Sequence, residues 1–314
     1  MTNVSPPRRV VVEGGIELHL IDRGAGEPVL LLHGGLGDCN SWAPQLAAIS
    51  QQRRAIAFSR RHHSPNRNPV AEGHAIDDDV HDLHFLQHHL GTGPAHLVGT
   101  SYGALVALLY AMRYPDAVLS LALAEPPLHR WACRSAEGQA LYSAFTTEVW
   151  RASAGAVDRG EDALALQLLV DGIAGHPVCE TLPPDRVAAA WRNAEAMRAL
   201  TRSTDPFPDL SRAAVAALAM PVLLIRGEHC SSLHLCVMNE LAQVLPGAMQ
   251  AVIRNAGHGS PLENPAAFNA CILSLMDRIP AAQALANRPL SSAGRYLPLQ
   301  VGIQSGFNRT EEIP

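Results

Sequence analysis

The sequence predicts an α/β fold in which a mainly parallel sheet is covered by helices on both faces. Short strand-like runs alternate with helical segments through the first 125 residues. The runs are apolar at nearly every position, which is typical of strands buried on both faces. One of them, residues 95–99, leads directly into a helix predicted at 102–113. Strands that alternate with helices in this way favour a parallel sheet with crossover helices.

The first half of the chain supplies most of the predicted sheet. Residues 8–13 and 16–22 alternate in polarity around Gly14-Gly15, which predicts an opening hairpin. Further strands are then predicted at 29–32, 53–59, 95–99 and 118–124, with helices at 41–49, 76–90 and 102–113.

The pattern changes between Glu125 and Pro208, where three helical segments follow one another without a strand. We therefore predict an all-helical cap at 126–208, inserted after the sixth strand. It divides the core into residues 1–125 and 209–279. The polar, Pro- and Gly-punctuated tail, 280–314, is expected to lie on the surface or to remain mobile. The cap helices are predicted at 138–150, 161–171 and 185–200, and the core resumes with strands at 221–226 and 250–254 and helices at 233–245 and 265–279.

The stretch Gly99-Thr100-Ser101-Tyr102-Gly103 lies at the tight turn from strand to helix. Such a turn forces the serine into a strained backbone, and small flanking residues let strand and helix pass without a clash. Ser101 Oγ would then be exposed at a helix N-terminus, where partial positive charge favours a developing anion. A G-x-S-x-G match alone is weak, because a surface turn can carry the same letters.

Two further loops strengthen the interpretation. The apolar strand 29–32 runs into His33-Gly34-Gly35-Leu36-Gly37, a glycine-rich loop able to turn a backbone N–H inward. Far downstream, Asn255-Ala256-Gly257-His258-Gly259 follows the last predicted strand. A histidine on such a loop can reach a serine on a neighbouring strand, as a general base must.

These three motifs, in this order, resemble those of the α/β-hydrolase family over roughly residues 10–278. The resemblance implies an eight-stranded, mainly parallel sheet flanked by helices. It also implies Ser101 as the nucleophile and His258 as the base. The backbone N–H groups of Gly35 and Tyr102 would form the oxyanion hole.

The acid of the triad departs from the commonest family pattern. Cys230 stands after the predicted strand 221–226, where the family usually has an aspartate. A neutral thiol cannot stabilise the imidazolium that forms during attack. Glu125 closes the preceding strand, and some relatives, such as haloalkane dehalogenases and zearalenone-lactonase-type enzymes, carry their acid there. We therefore predict Glu125 as the acid of the triad, with Glu228 as the alternative acid. The competing interpretation of Glu125 is a charged residue that only ends the strand before a turn.

The cap of this family supplies most of the pocket wall, so its large side chains are candidates for substrate contact. Leu36 on the glycine-rich loop and Trp131, Tyr142 and Trp150 in the cap are the predicted contacts. Helical spacing of such residues also fits core packing, which is the competing interpretation for each of them. The loop 59–66 replaces two family glycines with His62 and Ser64, and the sequence favours a surface turn there over a loop that shapes the pocket entrance.

Composition agrees with a single cytoplasmic enzyme. The formal net charge of −5 gives no basic surface for nucleic acid, and no window reaches the length of a membrane span. Six cysteines without a paired framework are typical of free thiols. We expect no cofactor and no metal; His81, His84 and His88 share a helix face, but their spacing favours a solvated face over a metal site.

The predicted function is hydrolysis of a small-molecule carboxylic ester or lactone through an acyl-enzyme. C–C bond hydrolysis, and thioesterase or acyltransferase chemistry, are alternatives on the same triad. A receptor-like binding module with little turnover is the alternative outside enzymes. The substrate's acyl chain, its alcohol or ring, and the oligomeric state are left open by the sequence.

Overall fold

The computed structural model describes residues 7–70, 74–203 and 205–279. Within them, an eight-stranded sheet has the order β1-β2-β4-β3-β5-β6-β7-β8. Its strands are β1 (Arg8–Val11), β2 (Glu17–Arg23), β3 (Pro28–Leu32), β4 (Arg54–Phe58), β5 (Ala95–Thr100), β6 (Val118–Ala124), β7 (Val222–Gly227) and β8 (Met249–Ile253). Strand β2 is antiparallel to both of its neighbours, and β3 to β8 run parallel. The predicted mainly parallel, eight-stranded sheet is confirmed.

Helices cover both faces of the sheet. One apolar cluster joins the sheet to α2 (Ile76–His89), α3 (Tyr102–Arg113) and α10 (Ser232–Val244). The other joins it to α1 (Ala43–Ile49) and α12 (Pro265–Met276). Strand β6 is buried along its whole length, as expected for a strand covered on both sides. The helices are α1 (Ala43–Ile49), α2 (Ile76–His89), α3 (Tyr102–Arg113), α4 (Ala136–Ala144), α5 (Ala152–Asp158), α6 (Asp162–Ala174), α7 (Pro184–Arg192), α8 (Ala194–Thr201), α9 (Arg212–Ala216), α10 (Ser232–Val244), α11 (Ser260–Glu263) and α12 (Pro265–Met276).

The described residues of the segment between β6 and β7 form helices joined by loops, with no strand among them. A π-helical stretch, Phe145–Arg151, joins α4 to α5, where the sequence predicts one continuous helix. The helix predicted at 185–200 is two helices that meet at buried Asn193. The Asn193 amide accepts a hydrogen bond from Ser64 N at 2.8 Å and donates one to Ala189 O, so its side chain ties this break to the core loop. The cap bounds 126–208 stay a prediction, and the predicted tail, 280–314, lies outside the described residues.

The parallel strands end at one edge of the sheet. Leu32 pairs with Gly99, Thr100 with Ala124, and Ala124 with Ile225. Because the strand ends are in register, the loops that follow them meet at this edge. The glycine-rich loop, Ser101, Glu125 and the His258 loop therefore converge there.

Candidate active site

Ser101 occupies the turn between β5 and α3 with φ 51° and ψ −125°. This region is unfavourable for a residue with a Cβ, so the surrounding structure must hold the serine there. The strand and helix pass so closely that a Cβ on Gly103 would clash with the Leu32 carbonyl, and one on Gly99 with the backbone of the next helical turn. The two glycines thus make the tight turn possible.

Glu125 follows β6, also with a positive φ, 46°. Its side chain is 2% exposed, and its two oxygens have separate partners. Oε1 accepts a hydrogen bond from Gly227 N at 2.7 Å, and Oε2 lies 2.7 Å from His258 Nδ1. Burial alone would raise the pKa of Glu125, but the hydrogen bond to His258 and the charges of His258 and His234 lower it overall. The carboxyl group is therefore ionised at neutral pH.

His258 lies on the loop after β8. The loop is tied down by Gly257 N, which donates to Glu263 Oε2, and by Asn255 N, which donates to Glu228 Oε2. Glu228 therefore supports the loop backbone, and its side chain is 44% exposed. Among the described side chains, the carboxylate bonded to the His258 ring is that of Glu125 and not that of Glu228.

Cys230 stands close enough to Glu125 for the carboxylate charge to act on it. Burial, followed by that charge, raises the pKa of the Cys230 thiol. The thiol is neutral at pH 7 and supplies no anion to the imidazole.

Ser101 and His258 both line one cavity of about 510 Å³, a size suited to a small organic molecule. No hydrogen bond joins the Ser101 hydroxyl to His258 within residues 7–70, 74–203 and 205–279; such catalytic contacts are often long before substrate binds. The cavity wall is largely apolar and is formed by core loops and by helices of the inserted segment. Its large apolar members include Leu36, Phe145, Trp150, Leu169, Ile173 and Phe207.

The four predicted substrate contacts divide into two groups. Leu36 and Trp150 line the cavity, whereas Trp131 and Tyr142 do not. Trp131 is 4% exposed, donates from Nε1 to Leu210 O at 3.1 Å, and carries the Arg212 guanidinium over its ring. Tyr142 packs against the core cluster. The structure thus places these two aromatics in packing contacts outside the cavity.

The glycine-rich loop is fixed from behind by hydrogen bonds to its carbonyl groups. His33 Nε2 accepts from Arg60 N at 3.0 Å, so the neutral ring donates from Nδ1 to Gly34 O at 2.8 Å. His63 Nε2 lies 3.0 Å from Gly35 O and 3.1 Å from Arg60 Nη2, and Arg60 Nη2 donates to Gly34 O at 3.3 Å. In a trans peptide the N–H points away from the C=O, so anchoring Gly34 O directs Gly35 N–H to the opposite side. Gly34 lies against Ser101, since a Cβ there would be 3.2 Å from Ser101 Cβ.

Tyr102 supplies the other N–H predicted for the oxyanion hole. It is the first residue of α3, where a helical N–H has no acceptor in the preceding turn. The Arg60 guanidinium lies over the buried Tyr102 ring, with Arg60 Cζ 4.7 Å from the ring centroid. The N-terminus of α3 is thus packed against the same arginine that holds the glycine-rich loop.

The loop 59–66 is partly buried and differs from the surface turn that the sequence favoured. Ser59, Arg60, His62 and His63 are buried, whereas Pro65 is exposed. Arg60 is 3% exposed and pairs with Asp79, itself 2% exposed, at 2.8 Å. His63 packs edge-on against His33, with ring centroids 4.5 Å apart. The ring centroid of His62, which replaces one family glycine, lies 4.6 Å from that of His74.

Two histidines beside the proposed triad were not predicted. His234, in the first turn of α10, stacks on His258 at 4.5 Å and has Nδ1 2.7 Å from Ser231 Oγ. His129 lies 5.6 Å beyond His234. His129 follows Glu125 by four residues and His234 follows Cys230 by four, but no spacing rule links either to His258. Burial, with the charge of His258, holds the pKa of His234 well below its usual value.

Glu125, His234 and His258 also form a possible metal-ligand set within the described residues. Their ligand atoms lie within 4.8 Å of one another. However, both Glu125 oxygens and His258 Nδ1 are already engaged in short hydrogen bonds. A metal ion would have to break these bonds to bind.

The model of the alpha/beta hydrolase fold matches residues 27–265, about three quarters of the chain. The chain belongs to the α/β-hydrolase family. It is therefore a hydrolase, and the resemblance drawn from its three motifs is confirmed. None of the described helices combines the length and the apolar character needed to cross a membrane.

Individual relatives are distant. A carboxylesterase, YbfK, from Bacillus subtilis is 27% identical over 263 residues, which cover 82% of this chain and 83% of the relative. A 2-hydroxy-6-oxo-2,4-heptadienoate hydrolase from Pseudomonas putida is 34% identical over 127 residues, which cover 39% of this chain and 46% of that one. The structure of a thermophilic esterase from Thermogutta terrifontis superimposes with a TM-score of 0.67 at 24% identity, covering 88% of this chain and 99% of the esterase. This last similarity shows the fold alone.

Proposed function

We propose that this hydrolase cleaves a carboxylic ester or lactone through an acyl-enzyme formed on Ser101. The observation that carries the proposal is the buried Glu125–His258 pair, 2.7 Å between Oε2 and Nδ1, beside the cavity that Ser101 also lines. An ionised carboxylate on Nδ1 fixes the tautomer in which Nε2 carries the lone pair. That nitrogen can then accept the proton of the serine hydroxyl.

In the proposed mechanism His258 removes the Ser101 proton as Oγ attacks the ester carbonyl. The N–H groups of Gly35 and Tyr102 donate to the oxygen that becomes negatively charged, and each such donor is worth about 3 kcal/mol. His258 then protonates the leaving alcohol. A water molecule activated by His258 releases the acid and restores the hydroxyl. No cofactor takes part in this sequence.

The substrate class is supported by two observations. The cavity wall is mostly apolar, which suits an uncharged ester or lactone. The chain also aligns with the carboxylesterase YbfK over most of its length. C–C bond hydrolysis is the second candidate, because the relative with 34% identity bears that type of name, over a shorter stretch.

The test is the steady-state and burst kinetics of the full chain on p-nitrophenyl butanoate. The wild type should turn over repeatedly and show a p-nitrophenol burst of at most one equivalent. Ser101→Ala and His258→Ala should lose turnover while their circular dichroism spectra stay unchanged. A single slow turnover would instead favour a binding module, and an unaffected His258→Ala rate would remove His258 from the mechanism.

A further inference from the structure

A buried imidazole without a partner lies in the wall of the active-site cavity. His129 is 3% exposed, and neither of its ring nitrogens has a hydrogen-bond partner among residues 7–70, 74–203 and 205–279. Leaving a buried polar group unpaired destabilises a folded protein, because the group has lost its hydrogen bonds to water. A buried polar group left unpaired in the wall of a binding cavity is a candidate for pairing with the ligand.

The surroundings of His129 leave it little choice of partner within the protein. Its ring packs against Phe145 at 4.4 Å and Phe207 at 5.0 Å between centroids, and both phenylalanines line the same cavity. The nearest polar ring is that of His234, at 5.6 Å. His129 is thus a single polar point in an otherwise apolar part of the wall.

His129 lies close to the proposed base. The His234 ring contacts both other imidazoles, with its centroid 4.5 Å from that of His258 and 5.6 Å from that of His129. In the proposed mechanism His258 acts at the scissile bond. A substrate bound at His258 would therefore place its groups near the scissile bond next to His129.

The charge state of His129 restricts the partner's chemistry. Burial, and then the charge of His258, lower the pKa of His129 to about 3, so its ring is neutral from pH 5 to 9. A neutral imidazole both donates and accepts one hydrogen bond. It matches a neutral hydroxyl or carbonyl oxygen rather than a carboxylate or phosphate.

We propose that His129 is a specificity-determining residue that hydrogen-bonds a second, neutral oxygen of the substrate near the scissile bond. The substrate class is then an apolar ester or lactone bearing a hydroxyl or oxo group near that bond, on its acyl or its alcohol portion. This inference rests on the proposed ester hydrolysis, which it makes more specific.

The experiment compares kcat/KM of the full-length wild type, His129→Phe and His129→Gln on two isosteric ester pairs. The leaving-side pair is 2-hydroxyethyl butanoate and propyl butanoate; the acyl-side pair is ethyl 3-hydroxybutanoate and ethyl 3-methylbutanoate. His129→Phe should lower the preference for the hydroxyl-bearing member of one pair by about three- to tenfold. It should leave the preference within the other pair within about twofold, and His129→Gln should retain part of the preference that His129→Phe loses.

Phe145→Leu is the matched control, since it reshapes the same wall without removing a polar group. It should alter both members of each pair alike. His129→Phe should also unfold at no lower a temperature than the wild type, because it removes an unpaired buried polar group. Unchanged preferences within both ester pairs in His129→Phe would overturn the inference. A wild type that hydrolyses none of these esters nor p-nitrophenyl butanoate would instead overturn the proposed function itself.

Discussion

The carboxylate of Glu125 bridges two loops at the carboxyl edge of the sheet, with Oε2 2.7 Å from His258 Nδ1 and Oε1 2.7 Å from Gly227 N. Residues 125 and 258 are far apart in the chain, but the strands preceding them end at the same edge of the sheet. The bond to Gly227 anchors the carboxylate to the end of β7. Glu125 is thus fixed by the backbone while it holds the imidazole.

Replacing Glu125 by its amide should inactivate the enzyme with little change in fold. The Gln side chain would favour the wrong tautomer of His258, and the comparable change in a serine triad costs about 10⁴-fold in rate. Ester hydrolysis measures this. Cys230→Ala and Glu228→Gln are the controls, and each should change kcat by less than about tenfold. Inactivity of Glu228→Gln with an active Glu125→Gln would move the acid to the β7 loop.

The same carboxylate should make stability fall in acid. Burial acts to raise the pKa of Glu125 on folding, but the hydrogen bond to His258 and nearby charge together lower it below its ordinary value of 4.5. A lowered folded pKa stabilises the protein fully above the unfolded pKa, and this contribution is lost as pH falls through the folded value.

The measurement is urea unfolding of the wild type and Glu125→Gln between pH 7 and pH 3. The unfolding free energy of the wild type minus that of Glu125→Gln should stay constant from pH 7 to about 5 and decrease below about 4.5. An increase of this difference on acidification would mean that folding raises the pKa of Glu125.

The close passage of α3 over β3 gives a prediction about two glycines. Gly103→Ala should destabilise the protein severely or prevent folding, because its Cβ would meet the backbone carbonyls of Leu32 and His33. Gly247→Ala is the matched control, since its Cβ meets nothing within 4 Å, and it should be neutral or stabilise by up to about 1 kcal/mol. Thermal unfolding of both variants tests this, and a stable Gly103→Ala would contradict the tight elbow.

The buried Arg60–Asp79 pair gives a further stability prediction. Arg60→Met would leave the buried Asp79 carboxylate without its arginine and with His74 Nε2 at 3.9 Å, a loss of about 3–5 kcal/mol in unfolding free energy. Arg60→Met with Asp79→Leu should recover much of that loss, because the buried carboxylate is removed as well. Both variants should lose hydrolase activity beyond their stability change, since the Arg60 side chain also donates to His33 O and Gly34 O. Equal stability of the single and double variants would contradict a coupled pair.

The fold was predictable because its signals are local. A uniformly apolar run such as β6 is typical of a strand that is covered on both faces of the sheet. Ser101 was found because the elbow requires glycines at fixed positions next to it. The helix boundaries around Asn193 were not predictable, because a tertiary hydrogen bond to Ser64 causes the break.

The rest of the site depends on contacts between distant segments. His129 contacts His234, and His234 contacts His258, because three separate parts of the chain pack together. No spacing of residues along the sequence indicates these contacts. The burial of loop 59–66 follows from Asp79 on α2, a partner that the loop's polar sequence does not reveal. Trp131 and Tyr142 have the same residue types as true cavity-lining aromatics such as Trp150, so composition could not separate them.

The most direct test of the central proposal is the mass of the intact protein after reaction with a fluorophosphonate probe, with the modified peptide mapped. One probe per chain, attached to Ser101, is the expected result for the wild type, and Ser101→Ala should carry none. Modification of Ser101→Ala to the wild-type extent, or a wild-type adduct on another residue, would contradict an acyl-enzyme on Ser101.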